Sequence, residues 1–162
     1  MSALTTVALW CAALGCGLMA GVYFTFSAFG MTALGRIPTE GGIAAMQSIN
    51  RVIVRSPFMP LFLGTTILSL VLAGVAVVEW SERGDLPMLV AGVVYFFSMF
   101  VCTAVFNVPF NNALDAADPR SPKGAALWAR YLRTWTRWNH VRTIGSTLAS
   151  GLFIWSLASR LS

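Results

Sequence analysis

From Leu4 to Phe29 the chain carries no charged side chain. A helix needs about 20 mostly apolar residues to cross the hydrocarbon of a bilayer, and a run this long and this clean is difficult to accommodate in water. A removable leader is the competing reading, since Leu14-Gly15-Cys16 has the look of a lipoprotein cleavage site. Leaders, however, have a basic start and a shorter apolar core. The expectation is a retained span over about residues 4–29, with Gly17 and Gly21 forming a GxxxG step that lets another helix approach closely.

Three further runs read the same way, over about 57–78, 86–106 and 140–158, the last beginning between Trp138 and Thr143. Only a short link with Glu79, Glu82, Arg83 and Asp85 separates the second run from the third, so these two form an antiparallel hairpin. Composition agrees: 57% of residues are hydrophobic and 10% charged, with a mean hydropathy of +0.72. A soluble domain carries about 25% charged residues, so little charge is left here to cover a water-facing surface.

The expected fold is all-α: a single integral membrane domain over residues 1–162, built as a four-transmembrane-helix bundle with an extra amphipathic helix in the first cytoplasmic loop. That helix is read from Thr39 and Glu40 followed by an apolar stripe of Ile43, Met46, Ile49, Asn50 and Ile53, with Pro57 stopping it before the second span. It either lies on the membrane surface or caps the bundle. Asp115 to Gly124 is the one turn-rich stretch, with Asp118-Pro119 and Ser121-Pro122.

The net charge of +5 would point to nucleic acid in a soluble protein, but here the basic residues sit beside apolar runs, and no nucleic-acid partner is expected. Arg36, Arg51 and Arg55 fall in the first loop, and Arg120, Lys123, Arg130, Arg133, Arg137 and Arg142 follow the third span. Arg83 and Arg160 alone lie on the other side. The positive-inside rule puts both long loops in the cytoplasm and both termini outside.

Polar side chains at the membrane boundary are costly, which draws attention to Asn107-Val108-Pro109-Phe110-Asn111-Asn112. Pro109 removes a backbone donor where the amides gather. The amides either cap a frayed helix end or build a site. A stronger signal is the series Trp128, Tyr131, Trp135, Trp138, Asn139 and Arg142, which falls within a sector of roughly 100° on one helix face. Arg130, Arg133 and Arg137 point nearly the opposite way. An interfacial aromatic belt would explain the rings. It would not explain Arg142 and Asn139 among them, because a buried guanidinium needs an acceptor or an anion and no carboxylate lies within any span.

His140 projects toward the Arg130 and Arg137 face, so it serves as a base only if a kink near Asn139 turns it inward. With one histidine, and with Cys11, Cys16 and Cys102 buried in apolar runs without zinc-site spacing, no metal is expected. Tyr23, Ser27, Tyr95, Ser98, Cys102 and Thr103 supply modest polarity that either lines the deeper part of a cavity or acts as interhelical glue. Nucleophile elbows, phosphate loops and intramembrane acid pairs are absent, which disfavours a proton-driven transporter.

AGVYFTFSAFGMTAL from Ala20, GGIAAMQSINR from Gly41, NVPFNNAL from Asn107 and WARYLRTWTRWNHVRT from Trp128 together touch most of the chain. In these stretches it resembles a family of small four-span membrane proteins, largely of unknown function, that includes the fungal anthrone oxygenases. The resemblance implies oxidation of an anthrone to an anthraquinone by dioxygen, with no cofactor. It implies a pocket for a hydrophobic polycyclic phenol closed by Trp128, Tyr131, Trp135 and Trp138. Arg142, Asn139 and Asn107 or Asn111 would stabilise the phenolate, and His140 or water would take the proton. Asn50 and Arg51 would close the cytoplasmic mouth. The rival expectation is a non-catalytic subunit whose aromatic face docks lipid or a partner membrane protein, in a homo-oligomer or a mixed complex.

Overall fold

The computed structural model describes residues 2–80 and 83–161, and all regular structure among them is helical. Helix α1 covers Ala3–Arg36, α2 Thr39–Ile53, α3 Phe58–Val78, α4 Asp85–Asp115 and α5 Pro122–Leu161. Helices α1, α3 and α4 are long and apolar enough to cross a membrane. Helix α5 is the longest, at 40 residues. Its first half carries Arg130, Arg133 and Arg137 and its second half intersperses serine and threonine among apolar residues, which makes it less apolar than the other three.

Three serines in the second half of α5, Ser146, Ser150 and Ser156, face inward. Ser150 Oγ donates to the Ala13 carbonyl at 2.8 Å, and Ser146 is fully buried. Helices α1 and α5 pack along much of their length and enclose, with α3 and α4, a core of Leu9, Met19, Leu72, Met88, Met99 and Phe153. A second core gathers Ile43, Met46, Leu114, Trp128, Tyr131 and Trp135 where α2 meets the start of α5. The stripe expected on α2 is thus buried at Ile43 and Met46, and Gln47 Nε2 reaches the carbonyls of Leu114 and Ala117 at 2.8 and 3.0 Å.

Two helices contain wide π turns, at Phe26–Gly30 in α1 and at Phe96–Val101 and Thr103–Asn107 in α4. They account for where the spans outrun their expected limits. The third helix does not end near residue 106. Pro109 has no N–H and its ring crowds the carbonyl four residues back, but the wide turn before it re-routes the bonding, and Val108 N–H donates to the Thr103 carbonyl. The helix therefore continues to Asp115 with its amides inside it. The fourth run likewise starts at Pro122, where Ser121 Oγ caps the Gly124 N–H at 2.9 Å, so the aromatic segment and the apolar run are one rod.

Helices α3 and α4 form the expected hairpin. Of its link charges, Glu82 lies outside the described residues. Asp85, read as part of the link, is buried and paired with Arg160 at the end of α5, and Ser156 Oγ donates to the Gly84 carbonyl at 2.8 Å. Near the link the two helices approach each other backbone to backbone. A Cβ at Gly92 would collide with the Ser69 carbonyl oxygen. Beyond Val101 the helices part, and α3 has no comparable contact with the turn Thr103–Asn107.

Because Ser69 offers backbone rather than a movable side chain, Gly92→Ala should destabilise the bundle by about 1–3 kcal/mol through overpacking. Gly74→Ala, where an added Cβ meets nothing within 4 Å, should be close to neutral. Thermal unfolding of the two variants in the same detergent checks this.

Candidate functional site

Where α3 and α4 diverge, a cavity of about 330 Å³ opens between them, with α2 across its end. Its body is apolar. Phe58 and Phe62 on α3 stack at 6.0 Å, and Phe62 continues onto Phe100 of α4 at 6.1 Å. The polar wall groups are few: Arg142, Asn50, Asn111, Thr103 and Tyr23. This pattern, a mostly apolar hollow with a small number of placed polar groups, is typical of small-molecule sites.

Arg142 sets the polar pole. It is 4% exposed, and its Cζ lies 4.1 Å from the Tyr23 ring centre and 4.9 Å from that of Trp135. Nη2 donates to Asn139 Oδ1 at 2.7 Å, and Nη1 reaches Thr103 Oγ1 at 3.5 Å. Asn139 is itself fixed, its Nδ2 donating to the Tyr23 carbonyl at 2.8 Å and to Ser27 Oγ at 2.7 Å. Ser27 lies within the wide turn of α1 and Tyr23 just before it, and Ser27 Oγ is also 3.0 Å from Thr143 Oγ1. The Nε–H of Arg142 is buried with no acceptor.

Magnitudes explain how such a charge persists without a carboxylate. Placing an arginine at mid-helix in a bilayer costs about 3 kcal/mol on insertion scales. Two desolvated cation–π contacts return about 1–2 kcal/mol each, and a hydrogen bond to a charged group about 1.5–3. These contacts together outweigh the insertion cost, so the guanidinium is held even though one of its donors stays unused.

The aromatic face of α5 turns inward as its spacing indicates. Trp128, Tyr131 and Trp135 are buried at 3, 0 and 4% exposure and stack in sequence at 5.6 and 5.5 Å. Of these, Trp135 lines the cavity, while Trp128 and Tyr131 back it. Trp138 is half-buried and stacks on Phe106 of α4 at 3.6 Å between ring centres. Arg130, Arg133 and Arg137 are exposed.

The amides divide between wall and frame. Asn111 Oδ1 accepts from Tyr131 Oη at 2.7 Å and from Trp135 Nε1 at 2.8 Å. Asn107 is fully buried behind the cavity, with Nδ2 donating to the Trp135 carbonyl at 3.2 Å. Asn50 lines the cavity from α2, and its Nδ2 is buried without a partner. Neighbouring Arg51 pairs with Asp115 at 2.7 Å and ties α2 to the end of α4, as Glu40 with Arg120 ties its start to the following turn.

Two singled-out residues lie elsewhere. Helix α5 runs through Asn139 unbroken, so His140 stays exposed on a separate shallow groove with Phe24 and Ile144. Tyr95 is fully buried in the bundle core and is not part of the cavity wall. Cavity residues that sequence reasoning passed over are Phe58, Phe62 and Phe100. Their signal was the four-residue spacing of Phe58 with Phe62 and of Phe96 with Phe100 on two helices already read as a hairpin. Among the described residues no three His, Cys, Asp or Glu side chains converge.

Three helices of membrane-crossing length and apolar character, closed around a largely apolar cavity, define a helical membrane protein. The chain belongs to the anthrone oxygenase family, whose model matches residues 51–152, more than half of its length. Comparison with curated proteins and with solved structures gives no match. The matched stretch contains α3, α4 and the aromatic part of α5, while Tyr23 and Ser27 precede it.

Asn111→Leu removes the common acceptor of two buried donors and should destabilise the protein by about 1–3 kcal/mol for each donor left without a partner. Asn111→Asp, which keeps the acceptor oxygens, should cost less. Unfolding midpoints, read with tryptophan emission as the local probe, give the comparison.

Proposed function

We propose that this chain is a four-pass membrane enzyme, with both termini outside and α2 capping the cytoplasmic end. On this reading it is a cofactor-independent oxygenase of a hydrophobic polycyclic phenol or related aromatic compound, bound in the cavity beside Arg142. The observation that carries the proposal is the unpaired charge. A guanidinium with a spare donor, no carboxylate among its contacts and an apolar aromatic-lined hollow beside it fits a flat ligand that develops a negative oxygen.

An anthrone meets that description. Loss of a proton from C10 puts the negative charge on the C9 oxygen, where Arg142 would receive it. With His140 on the outer groove, the proton acceptor is assigned to water in the cavity. The anion passes one electron to dioxygen, and the resulting radical and superoxide combine to form a C10–O bond. Protonation gives a C10 hydroperoxide. Loss of the second C10 proton with cleavage of the O–O bond releases water and leaves the C10 carbonyl. One dioxygen is consumed, with one oxygen atom in the quinone and one in water.

The docking-subunit reading needs Trp135 and Arg142 on an outer surface, and both are buried at 4% exposure against a cavity. This favours the enzyme. Purified protein incubated with an anthrone should form the anthraquinone above the spontaneous rate in air and not under anaerobic conditions. Arg142→Ala should lower kcat by about 10²–10³, the usual cost of losing one oxyanion donor. Wild-type turnover no faster than the spontaneous reaction would remove this substrate class.

A further inference from the structure

We propose that the cavity is loaded sideways from the lipid, through a mouth between α3 and α4, so that its ligands are uncharged, bilayer-dissolved aromatics that ionise only after they arrive. This deepens the function proposed above and rests on the cavity being its ligand site. The mouth is visible in residues that belong to two surfaces at once. Leu63 on α3 and Val108 on α4 line the cavity, yet they are 42 and 38% exposed, and Ala104, one turn before Val108, is also exposed. The inner wall is buried by contrast, with Met46, Phe62 and Trp135 at 1, 7 and 4%.

The opening follows from the shape of the hairpin. Helices α3 and α4 are pressed together near their link at Gly92 and Ser69, and they separate beyond Val101, where the wide turns re-aim α4. Stacked phenylalanines fill the angle as far as Phe100, and the space beyond them is the cavity. Its lips carry no charge or amide. They also sit on two of the three helices that qualify as membrane-crossing, so acyl chains are the medium they face. The opposite approach, past α2, is obstructed by buried Ile43, Met46 and Gln47 and by the Arg51–Asp115 tie.

Desolvation sets the class of ligand that such a mouth admits. A phenolate or sulfonate crossing an apolar gap loses its hydration with no partner until it reaches Arg142, whereas a neutral phenol crosses at little cost. The guanidinium then favours ionisation inside. Selection thus happens in two stages, neutral at the lips and anionic at the pole.

The test uses 2-hydroxyanthraquinone, already at the quinone level and so not consumed, with full-length protein in lipid nanodiscs. Its absorbance reports binding by stopped flow. Leu63→Trp and Ala104→Trp, made separately from opposite lips on lipid-facing positions, should slow association and dissociation together by tenfold or more while Kd changes less than twofold. A barrier at a mouth acts on both directions equally. Arg51→Ala, which loosens α2, should leave both rates unchanged.

Unchanged rates in both tryptophan variants, or faster binding in Arg51→Ala, would mean access from the water-facing end and would overturn the proposal while leaving the site intact. A large change in Kd through dissociation alone would make these residues part of the site rather than its mouth, which also overturns it. Absence of binding by the wild-type protein would remove the ligand site itself, and the mouth with it.

Discussion

A positive charge inside an apolar bundle must be held by something, and here that is Tyr23, Trp135 and Asn139 together. The rings lie 4.1 and 4.9 Å from Cζ, and Asn139 fixes one end of the guanidinium at 2.7 Å. Each partner comes with its own requirement. Asn139 presents its oxygen only because its nitrogen is occupied by α1, at the Tyr23 carbonyl and Ser27. Trp135 is fixed because Asn111 accepts from its indole N–H and Asn107 donates to its carbonyl. Contacts from α1, α4 and α5 therefore converge on one side chain, and the cavity is what remains beside it.

The wide turns are the backbone's share of this arrangement. A regular α-helix through residues 26–30 or 103–107 spends every carbonyl on itself, while a π turn rearranges that bonding and often marks a functional site. In α1 the wide turn holds Ser27, one acceptor of Asn139, and follows Tyr23, the other. In α4 it lets Pro109 sit inside a continuous helix and carries Asn107 and Asn111 inward. Pro109 is thus accommodated by the turn before it and does not terminate the span.

Much of this was legible in the residues. Uninterrupted apolar runs gave the helices, and the three-and-four spacing from Trp128 to Arg142 gave the inward face, since side chains at those steps share one side of a helix whatever surrounds it. Periodicity also put His140 on the outer face, where it is found. What it missed was tertiary. No local pattern tells whether Tyr95 looks into a hollow or into packed methionines, nor that two helices diverge and leave Phe58, Phe62 and Phe100 around a space. Helix ends were misjudged for a related reason: Pro109 and the arginines near residue 130 look like boundaries until a wide turn and a long amphipathic rod are seen to absorb them.

The two ends of the cavity wall belong to different parts of the chain. Charge and its hydrogen bonds are supplied by α1 and α5, with Thr103 alone added from α4, while bulk and contour come from phenylalanines on α3 and α4 that make no hydrogen bond to those groups, Phe58 touching them through an edge contact with the Tyr23 ring. Replacing a phenylalanine with a smaller or larger hydrophobe reshapes the hollow without altering any donor or acceptor of the guanidinium. Such a scaffold can diversify the outlines it accommodates over generations of substitution while its electrostatic anchor is inherited unchanged.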